Sequence, residues 1–372
     1  MKSKSYRYRI YPTKEQEVLL SKTFGCVRVI WNRDVAVFNS WDKETNPSPI
    51  YQTSTEMRHE LEWMREVSAA AVQQKEMDFK VFRKNFFSKT RKTKIKGCKF
   101  KSKYDKQSFR LPNQKFELEE STIRLEKIGS IPVVIDRRPS TDCKYMSVTV
   151  TRDKTHKYFV SVLVEENTQP RYEPTGKSIG IDLGLKHFLT LSSGEKIENP
   201  RWFRESQAKL RKAQKNLSRK TKGSTRYNKC KRKVASVHAK TTNQRNHFHH
   251  QVSLDLVRRF DFIGMESLNV AGMKKNHCLA KSISDAGWSQ FVSFVKYKSD
   301  WNCKVVQEID RFFPSSKLCG DCGAINHELK LDDREWICIS CGCLHDRDGN
   351  ASRNIEVEAL RVFDSAQGVA CA

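Results

Sequence analysis

The chain has 372 residues and a strong excess of positive charge, with 69 Lys and Arg against 43 Asp and Glu and a formal net charge of +26. This length allows two or three domains with sizeable cores, and a hydrophobic fraction of 38% excludes a chain that is disordered throughout. So large an excess favours a polyanionic partner, because each phosphate that a cation neutralises releases condensed counterions. A basic protein without such a partner is the alternative.

The sequence contains no recognisable membrane or export signal. No apolar run approaches the roughly 18 residues of a membrane-spanning helix, and residues 1–6 lack the apolar stretch of a secretory signal. Four of the 12 cysteines form pairs with metal-ligand spacing, so disulfide bonds are not needed to explain them. We therefore expect a cytoplasmic protein in a reducing compartment, with no membrane partner.

The N-terminal part of the chain predicts one strand and three helices. Residues 6–11 alternate in period two, which indicates a strand. Thr13 and Gln16 form a capping box that opens a helix, and Gly25 is expected to end this helix before a second one begins. A third helix is predicted over 68–87, where apolar residues recur near helical spacing.

Short strands dominate from about residue 109 to 165 and predict a small barrel or sandwich. The predicted strands are 116–118, 131–135, 146–150 and 158–164. The preceding helices would then be an insertion that interrupts the barrel after its first strand. Two prolines mark 167–177 as a linker, after which a second domain of mixed strands and helices is expected.

Two stretches concentrate the positive charge. Residues 83–110 carry 12 Lys and Arg against one acid, and residues 201–247 carry 16 against one acid. The aromatic residues interleaved with the first stretch, which are able to stack on bases, are Phe86, Phe87, Phe100, Tyr104 and Phe109. A solvated helix face would explain either stretch alone, but the two together favour contact with nucleic acid.

Two segments share the pattern apolar, Gly, apolar, acid, namely Ile179–Asp182 and Ile263–Glu266. Each is typical of a buried strand that ends on its acid, which is where α/β sheets place their chemistry. On a strand the glycine and the acid share one face, and we interpret the glycine as room for a phosphate backbone to approach. A single acid at a strand end is ordinarily a loop-facing charge, but two matching segments favour a joint role for Asp182 and Glu266.

A third acid is expected beside them, on a C-terminal helix. Apolar residues at 351, 355, 359 and 362 form a core-facing stripe, and Asp348 falls on this stripe whereas Asp346 does not. We therefore choose Asp348 as the third carboxylate and Asp346 as a local cap. Three acids in a partly buried site repel one another unless cations lie between them, which predicts Mg²⁺ or Mn²⁺ as cofactor. Two such ions about 4 Å apart would support phosphodiester hydrolysis.

The most specific pattern in the chain is a pair of C-x-x-C motifs separated by 15 residues. Cys319 with Cys322, and Cys338 with Cys341, match a zinc ribbon with four thiolate ligands. A thioredoxin-like redox motif does not fit, because there are two pairs and no supporting fold pattern. A closed site of four sulfur ligands has no open position, so the Zn²⁺ is predicted to be structural.

Taken together, these motifs resemble the TnpB family, compact transposon-encoded nucleases related to the type V CRISPR effectors. The resemblance is carried by Tyr8–Gln16, Phe24–Cys26 with Trp31 and Asn32, Phe100–Lys103 through Phe109, Gly180–Gly184, Met265–Val270, Pro314–Lys317 and Asp346–Ala351. The fold that it implies is mixed α/β and β: a wedge-type β-barrel at 1–12 and 109–166 with a helical recognition insertion at 13–108, then an RNase H-like RuvC domain at 167–310 and 344–372 with a zinc ribbon inserted at 311–343.

The resemblance also implies a function. TnpB proteins bind a guide RNA derived from their own transposon end, open double-stranded target DNA beside a short transposon-adjacent motif, and cut it where the guide pairs. The RuvC triad of the family falls on Asp182, Glu266 and Asp348. Such a protein is expected in the cytoplasm of a prokaryote, associated with the nucleoid, and the sequence leaves open whether it acts as a monomer or a homodimer on its RNA.

By the same resemblance, the basic stretches would hold the guide RNA and the heteroduplex through their shape and phosphates. The nucleic-acid contacts predicted in this way are Tyr8, Lys75, Arg83, Lys84, Lys99, Lys101, Lys103, Arg211, Lys212, Lys215, Lys231, Arg232 and Arg245.

Three other functions are open to this sequence. A catalytically silent RNA-guided repressor is disfavoured because all three acids are present. A strand-transferring transposase with an RNase H-like site would use the same acids and two metal ions, so the carboxylates alone do not exclude it; the ribbon between Glu266 and Asp348, together with the barrel, favours the guided nuclease. A zinc-ribbon binding protein without catalysis leaves the paired glycine–acid strands unexplained.

Overall fold

The computed structural model describes residues 2–41, 49–88, 90, 95, 97–167, 170–330 and 332–370. The chain divides into two compact units, residues 1–167 and 168–372, and each has its own hydrophobic core. The division falls at the start of the segment predicted as a linker. Within the described residues, no helix combines the length and the apolar character that crossing a membrane requires.

The first unit is built on a seven-stranded antiparallel sheet that is nearly closed into a barrel. Its strands are β1 Lys2–Ile10, β2 Gln107–Pro112, β3 Phe116–Leu118, β4 Thr122–Leu125, β5 Gly129–Val134, β6 Lys144–Arg152 and β7 Tyr158–Glu166, in the order β2-β6-β7-β1-β5-β4-β3. Alternate residues of the long strands are buried, as period-two patterns require. The small barrel predicted from the sequence is confirmed in this coarse form.

The described residues between β1 and β2 include the α-helices α1 Lys14–Ser40, α2 Ser54–Glu60 and α3 Ala69–Phe87 and a short 3-10 helix at Glu62–Glu66. The capping box of Thr13 and Gln16 is present at the start of α1, and Ser68 caps α3. The prediction that Gly25 ends the first helix is wrong, because α1 continues through it. Phe24 and Val27, on either side of Gly25, are buried in the barrel core, and this burial offsets the roughly 1 kcal/mol that a glycine costs inside a helix.

The second unit contains a five-stranded mixed sheet with the order β10-β9-β8-β11-β12. Its strands are β8 Ser178–Asp182, β9 His187–Leu191, β10 Lys196–Glu198, β11 Phe262–Glu266 and β12 Val305–Ile309. The strands β8, β11 and β12 are parallel to one another, and β9 returns antiparallel to β8. Buried aliphatic residues of β8, β9 and β11 form the centre of the core.

Helices connect and cover the strands of this sheet. They are α4 Trp202–Ser218, α5 Thr225–Arg259, α6 Val270–Met273, α7 His277–Ala286, α8 Trp288–Trp301 and α9 Arg347–Ala370. A two-stranded ribbon, β13 Glu335–Ile337 with β14 Leu344–Asp346, directly precedes α9. The stripe predicted for α9 is buried at Ala351, Ile355 and Ala359, so this helix packs on the sheet as expected.

Candidate functional site

Two of the three predicted carboxylates end neighbouring parallel strands. Asp182 is the last residue of β8 and Glu266 is the last residue of β11. The two strands run in register, with Gly180 opposite Gly264 and Ile181 opposite Met265. Parallel strands that end together place their last side chains at one edge of the sheet, so the fold brings these acids to a common edge.

The third acid arrives on helix α9, which lies against the same strands. A Cβ placed on Gly180 would lie only 2.1 Å from the carbonyl oxygen of Ser352, and a Cβ on Gly264 would lie 2.7 Å from the Cβ of Ala359. The two glycines therefore admit the backbone of α9. Our interpretation of them as room for a phosphate backbone is wrong.

Close packing of α9 carries its first turn, with Asp348, toward the strand ends. The Asp348 side chain is mostly buried and lies 3.6 Å from the Arg334 guanidinium. Asp346 instead pairs with Lys196 at 2.9 Å and accepts a hydrogen bond from the Gly349 N–H at 2.9 Å. Asp346 thus caps the first turn of α9 from outside, which is the supporting position expected for it.

The three carboxylates interact electrostatically. Burial, followed by repulsion from Glu266 and then from Asp348, raises the pKa of Asp182 to about 7, which the nearby Arg347 only partly opposes. Without a bound cation, Asp182 would therefore keep its proton to a much higher pH than an ordinary aspartate does. Arg334 and Arg347 offset only part of this negative charge, and a concentration of carboxylates of this kind fits a site for hard divalent cations with oxygen ligands.

The spacing of the three carboxylates limits how they could hold a cation. Among the described residues, the groups of acidic, His and Cys ligand atoms that lie within 4.8 Å of one another are both in the cysteine region, and the three carboxylates do not form such a group. One ion sharing an oxygen from each acid would need closer approach.

The four predicted zinc ligands do come together. The Sγ atoms of Cys319, Cys322, Cys338 and Cys341 lie within 4.8 Å of one another, with 3.6 Å between the first and last and between the middle two. Tetrahedral Zn²⁺ with bonds of about 2.3 Å requires sulfur separations of about 3.8 Å. Gly323 and Gly342, which follow the two pairs, adopt positive φ values of 75° and 73° in the tight turns. The donor set and spacing fit a structural zinc ion.

Two bacterial proteins resemble this chain over most of its length. The chain is 38% identical to a protein of Streptomyces pristinaespiralis provisionally named an RNA-guided DNA endonuclease, over 98% of this chain and 92% of that protein. It is 27% identical to InsQ of Escherichia coli K12, which has the same provisional description, over 94% and 91% of the two chains. The chain belongs to the TnpB family.

Family models cover three parts of this TnpB family member. Residues 161–277 match OrfB_IS605, described as a probable transposase, and residues 288–355 match the TNB domain of Cas12f1-like proteins. Residues 1–45 match a family described as a helix-turn-helix domain, although the structure has β1 and one continuous helix there through residue 40. The fold resembles that of Cas12f1 in its complex with sgRNA and target DNA, with a TM-score of 0.50, 12% identity and coverage of 95% and 98%.

Several polar residues that the sequence analysis did not identify connect the chain just before Cys319 to Glu266 and to α9. The Ser315 hydroxyl donates a hydrogen bond to the Glu266 carboxylate. On α9, the Asn354 amide donates to the carbonyl oxygens of Ser315 and Leu318, at 2.8 Å and 2.7 Å. Both Ser315 and Asn354 are buried. The chain just before the first cysteine is therefore bonded to Glu266 on one side and to the helix that carries Asp348 on the other.

Two further contacts join the cysteine region to α9. The Asn350 side chain accepts a hydrogen bond from the Gly320 N–H at 2.9 Å and donates one to the Leu318 carbonyl at 2.7 Å. The buried His345 places Nε2 3.1 Å from the Sγ of Cys319. A histidine in hydrogen-bond reach of a ligand sulfur orients that ligand. Ser315 and Asn350 lie within Pro314–Lys317 and Asp346–Ala351, two of the motifs that carry the family resemblance, whereas Asn354 is one helical turn beyond Asn350 on α9.

Eight of the 13 predicted nucleic-acid contacts have exposed side chains, as such contacts require. They are Lys84, Lys99, Lys103, Arg211, Lys212, Lys215, Lys231 and Arg232. Those in the second basic stretch lie on α4 and α5, which pack against each other. The role of these eight residues stays a prediction.

Tyr8 and Arg245 do not suit the predicted role. The Tyr8 side chain is 1% exposed, points into the barrel core and donates a hydrogen bond to the carbonyl of Arg137. Period-two alternation places it on the inner face of β1, beside the buried Ile10. Arg245 donates to the Ser284 carbonyl at 3.2 Å and ties α5 to α7. The prediction that Tyr8 contacts nucleic acid is therefore wrong. The guanidinium of Arg245 is already engaged in a contact between two helices.

The remaining three predicted contacts are partly engaged with their neighbours. Lys75 pairs with Asp78 at 2.6 Å, and the Arg83 guanidinium lies 4.2 Å from the centre of the Tyr51 ring. Lys101 lies 3.8 Å from the centre of the Trp31 ring. Burial, and then repulsion from Lys75, lower the pKa of Lys101 to about 8. Aromatic and acidic partners hold these three side chains in place, so fewer of their N–H groups can donate to a phosphate.

The aromatic residues of the first basic stretch separate into two classes. Phe86 and Phe87 pack on Phe38, and Phe109 is buried in the barrel core. Phe100 and Tyr104 are 58% and 67% exposed. Stacking on bases is therefore open to Phe100 and Tyr104 but not to Phe109, because a core residue has no free ring face.

Proposed function

We propose that this TnpB family member is an RNA-guided DNA endonuclease that cleaves its target by two-metal-ion hydrolysis at Asp182, Glu266 and Asp348. The observation that carries the proposal is the approach of two strand-end acids and one helix-borne acid at a single sheet edge, where Arg334 and Arg347 balance only part of their charge. The names of the Streptomyces and Escherichia relatives support the same activity.

The three carboxylates would hold two Mg²⁺ or Mn²⁺ ions, which when bound activate water and stabilise the leaving 3′ oxygen of a phosphodiester. The protein's own part is to fix the ligands. Ser315 holds one oxygen of Glu266, and the packing of α9 on Gly180 and Gly264 sets the position of Asp348. Because the pKa of Asp182 is about 7, cation binding near neutral pH would displace a proton from this carboxyl group.

The domain organisation implied by the family forms part of the proposal. The wedge-type barrel would comprise 1–12 and 109–166, the recognition insertion 13–108, the RuvC domain 167–310 and 344–372, and the zinc ribbon 311–343. The order of the sheet in the second unit, with an antiparallel strand beside three parallel ones, is compatible with an RNase H-like core. Structural Zn²⁺ on the four cysteines would stabilise the insertion that lies between Glu266 and Asp348 in sequence.

The partners proposed are a guide RNA from the protein's own transposon end and double-stranded target DNA beside a short adjacent motif. The exposed cations of α4, α5 and the 83–110 stretch would bind phosphates, while base pairing with the guide would select the sequence. Purification of the protein from its host and sequencing of the copurifying RNA tests this part. Recovery of no discrete RNA would remove the guide from the proposal without affecting the nuclease site.

The cleavage proposal is tested with the guide-loaded protein, a matched DNA target and Mg²⁺. Asp182→Ala should bind the target but not cut it, because the site loses one of its three ligands. Asp346→Asn is the matched control, since this acid belongs to the same motif as Asp348 but points to Lys196. We expect Asp346→Asn to cut, and undiminished cutting by Asp182→Ala would refute the assignment.

A strand-transferring transposase is the second candidate, favoured by the description of the family model matched at residues 161–277. The same carboxylates would serve it. The two activities differ in product: a transposase joins a 3′ hydroxyl end to new DNA, whereas the proposed nuclease leaves free ends. Joined products in an assay with labelled 3′ ends would favour the transposase.

A further inference from the structure

A small cavity lies beside the loop that follows Asp182. This loop, residues 183–186, connects β8 to the antiparallel β9 and therefore leaves the sheet at the edge where β8 ends. The cavity has a volume of about 250 Å³. Side chains that line it come from this loop, from the start of α4 and from α7, and include Lys186, Asn199, Arg201, Arg204, Ser282 and Asp285.

The charge of the cavity is positive. Lys186, Arg201 and Arg204 contribute three cations and all three are exposed, whereas Asp285 is the single acid in the lining. The Asp285 carboxylate accepts a hydrogen bond from the Phe203 N–H at 3.2 Å, in the first turn of α4. Its charge is thus directed at the positive end of a helix and interacts with Arg204, and one acid against three cations leaves the cavity with a net positive charge.

Arg201 occupies a backbone conformation that favours another residue. Its φ of 50° and ψ of 37° lie in the left-handed region, which costs a non-glycine residue roughly 1 kcal/mol or more. It also takes the position before α4 where Ser, Thr, Asp, Asn or Gly is preferred.

The surroundings hold the Arg201 side chain over the loop. The Asn199 amide donates to the Leu185 carbonyl at 3.2 Å and accepts from the Arg201 N–H at 3.3 Å. The guanidinium lies 3.5 Å from the carbonyl oxygens of Leu185 and Lys186. These contacts are long, so the fork of N–H groups remains able to bind a stronger acceptor, and a phosphate matches its geometry.

We propose that this cavity binds backbone phosphates of the single DNA strand that passes to the three carboxylates. The proposal rests on the proposed nuclease function, because the strand held next to Asp182 would be the strand that is cut. The volume of the cavity suits one phosphate with its sugar and is too small for a duplex. Three cations around one cavity would fix the position of the strand without reading its sequence.

The first test measures binding of a short single-stranded DNA by fluorescence anisotropy, with the full-length protein in buffer without Mg²⁺ so that nothing is cut. Arg201→Ala combined with Arg204→Ala should weaken binding about tenfold at low salt. It should also reduce the slope of log affinity against log salt by about 1.4, or about 0.7 for each phosphate that is no longer neutralised.

The matched control removes the same charge from the opposite edge of the sheet. Arg171 and Lys177 are exposed and precede β8, whereas the cavity lies beyond its end. Arg171→Ala combined with Lys177→Ala should leave the affinity and the salt slope close to those of the unmodified protein, because distant charges are screened. Equal reductions of affinity in the two double variants would overturn the proposal and indicate an effect of net charge alone.

A single glycine substitution separates binding from folding. Arg201→Gly removes the guanidinium and relieves the left-handed backbone, which offsets the conformational entropy that glycine adds to the unfolded chain, so it should leave the midpoint of thermal unfolding nearly unchanged while it weakens DNA binding. A structural role for Arg201 would lower the midpoint instead. Unchanged DNA affinity in this variant would remove Arg201 from the proposed site.

A photo-crosslinking residue in place of Ser282, on the cavity wall, distinguishes DNA from RNA. With the guide-loaded protein and a matched target, crosslinks should form to the DNA; crosslinks to the guide RNA alone would overturn the proposal. The tests also separate this proposal from the nuclease function. If the double variant binds and cuts normally, only the cavity proposal fails, and if the unmodified loaded protein does not cut, the nuclease proposal fails first.

Discussion

Replacement of Asp182 by Asn should stabilise the protein when no divalent cation is bound at the three carboxylates. The pKa of Asp182 rises from 3.8 to about 7 in the folded chain. Each pKa unit corresponds to 1.36 kcal/mol, so ionised Asp182 destabilises the fold by up to about 4 kcal/mol above pH 7. Water reaching this edge of the sheet reduces the effect, and we expect about 2 kcal/mol.

The sign of the pH dependence follows from the raised pKa. Below about pH 4 the carboxyl group is protonated in both the folded and the unfolded chain, and Asp182 costs nothing. Between about pH 4 and 7 the folded chain retains the proton that the unfolded chain loses, so stability falls as the pH rises. Asn has the same shape and does not titrate, so the difference between the variant and the unmodified protein should grow through this window.

Thermal unfolding followed by circular dichroism checks this prediction in magnesium-free buffers, without chelators that would also remove zinc. At pH 8, Asp182→Asn should unfold about 5 °C higher than the unmodified protein, and the difference should vanish near pH 4. Addition of Mg²⁺ should stabilise the unmodified protein selectively and close the gap.

Asp346→Asn is the control for this experiment, because Asp346 pairs with Lys196 and caps α9. It should gain no stability at pH 8. A lower midpoint for Asp182→Asn at pH 8, or a difference that is independent of pH, would refute the view that burial and repulsion by Glu266 and Asp348 destabilise ionised Asp182.

Three other substitutions test the close approach of α9 to the sheet, the zinc ligands and the hydrogen bond to Glu266. Gly180→Ala should destabilise the fold by more than about 3 kcal/mol in chemical denaturation, because its Cβ meets backbone at 2.1 Å, whereas Gly25→Ala, with no atom nearer than 4.0 Å, should stabilise α1 by about 0.5–1 kcal/mol; equal effects would contradict the packing. Cys338→Ser should lower the zinc content measured by mass spectrometry and the unfolding midpoint together, and normal zinc content would exclude this ligand set. Ser315→Ala should fold normally but require several-fold more Mg²⁺ for half-maximal cleavage, since Glu266 loses its hydrogen-bond donor; an unchanged Mg²⁺ requirement would show that Ser315 does not position Glu266.

Local chemistry explains which predictions from the sequence are confirmed. The capping box at Thr13 needs only residues three positions apart, and alternation on β7 needs only its own pattern. The C-x-x-C spacing that brings the Sγ atoms of Cys319 and Cys322 together is likewise local. In each case the interacting groups are near neighbours in the chain, so their spacing determines what they do.

Predictions that depended on a distant partner were less successful. Gly25 has the residue type of a helix end, but buried neighbours from the barrel core keep α1 helical. Tyr8 has the residue type of a nucleic-acid contact, but its strand turns it inward. Gly180 was interpreted correctly as a point of close approach, yet the group that approaches is the backbone of Ser352 rather than a phosphate.

The sequence by itself determined the positive charge, the strand-end acids, the paired cysteines and the family that these motifs resemble. Tertiary structure alone decided that α9 packs on two glycines, that Ser315 donates a hydrogen bond to Glu266 while Asn354 of α9 donates to Ser315, and that Arg201 lines a cavity beside the loop after Asp182. The physical reason is the separation along the chain of the residues that interact. Charge and short spacings are properties of the chain, whereas contacts between residues 30 or more positions apart exist only after the sheet has formed.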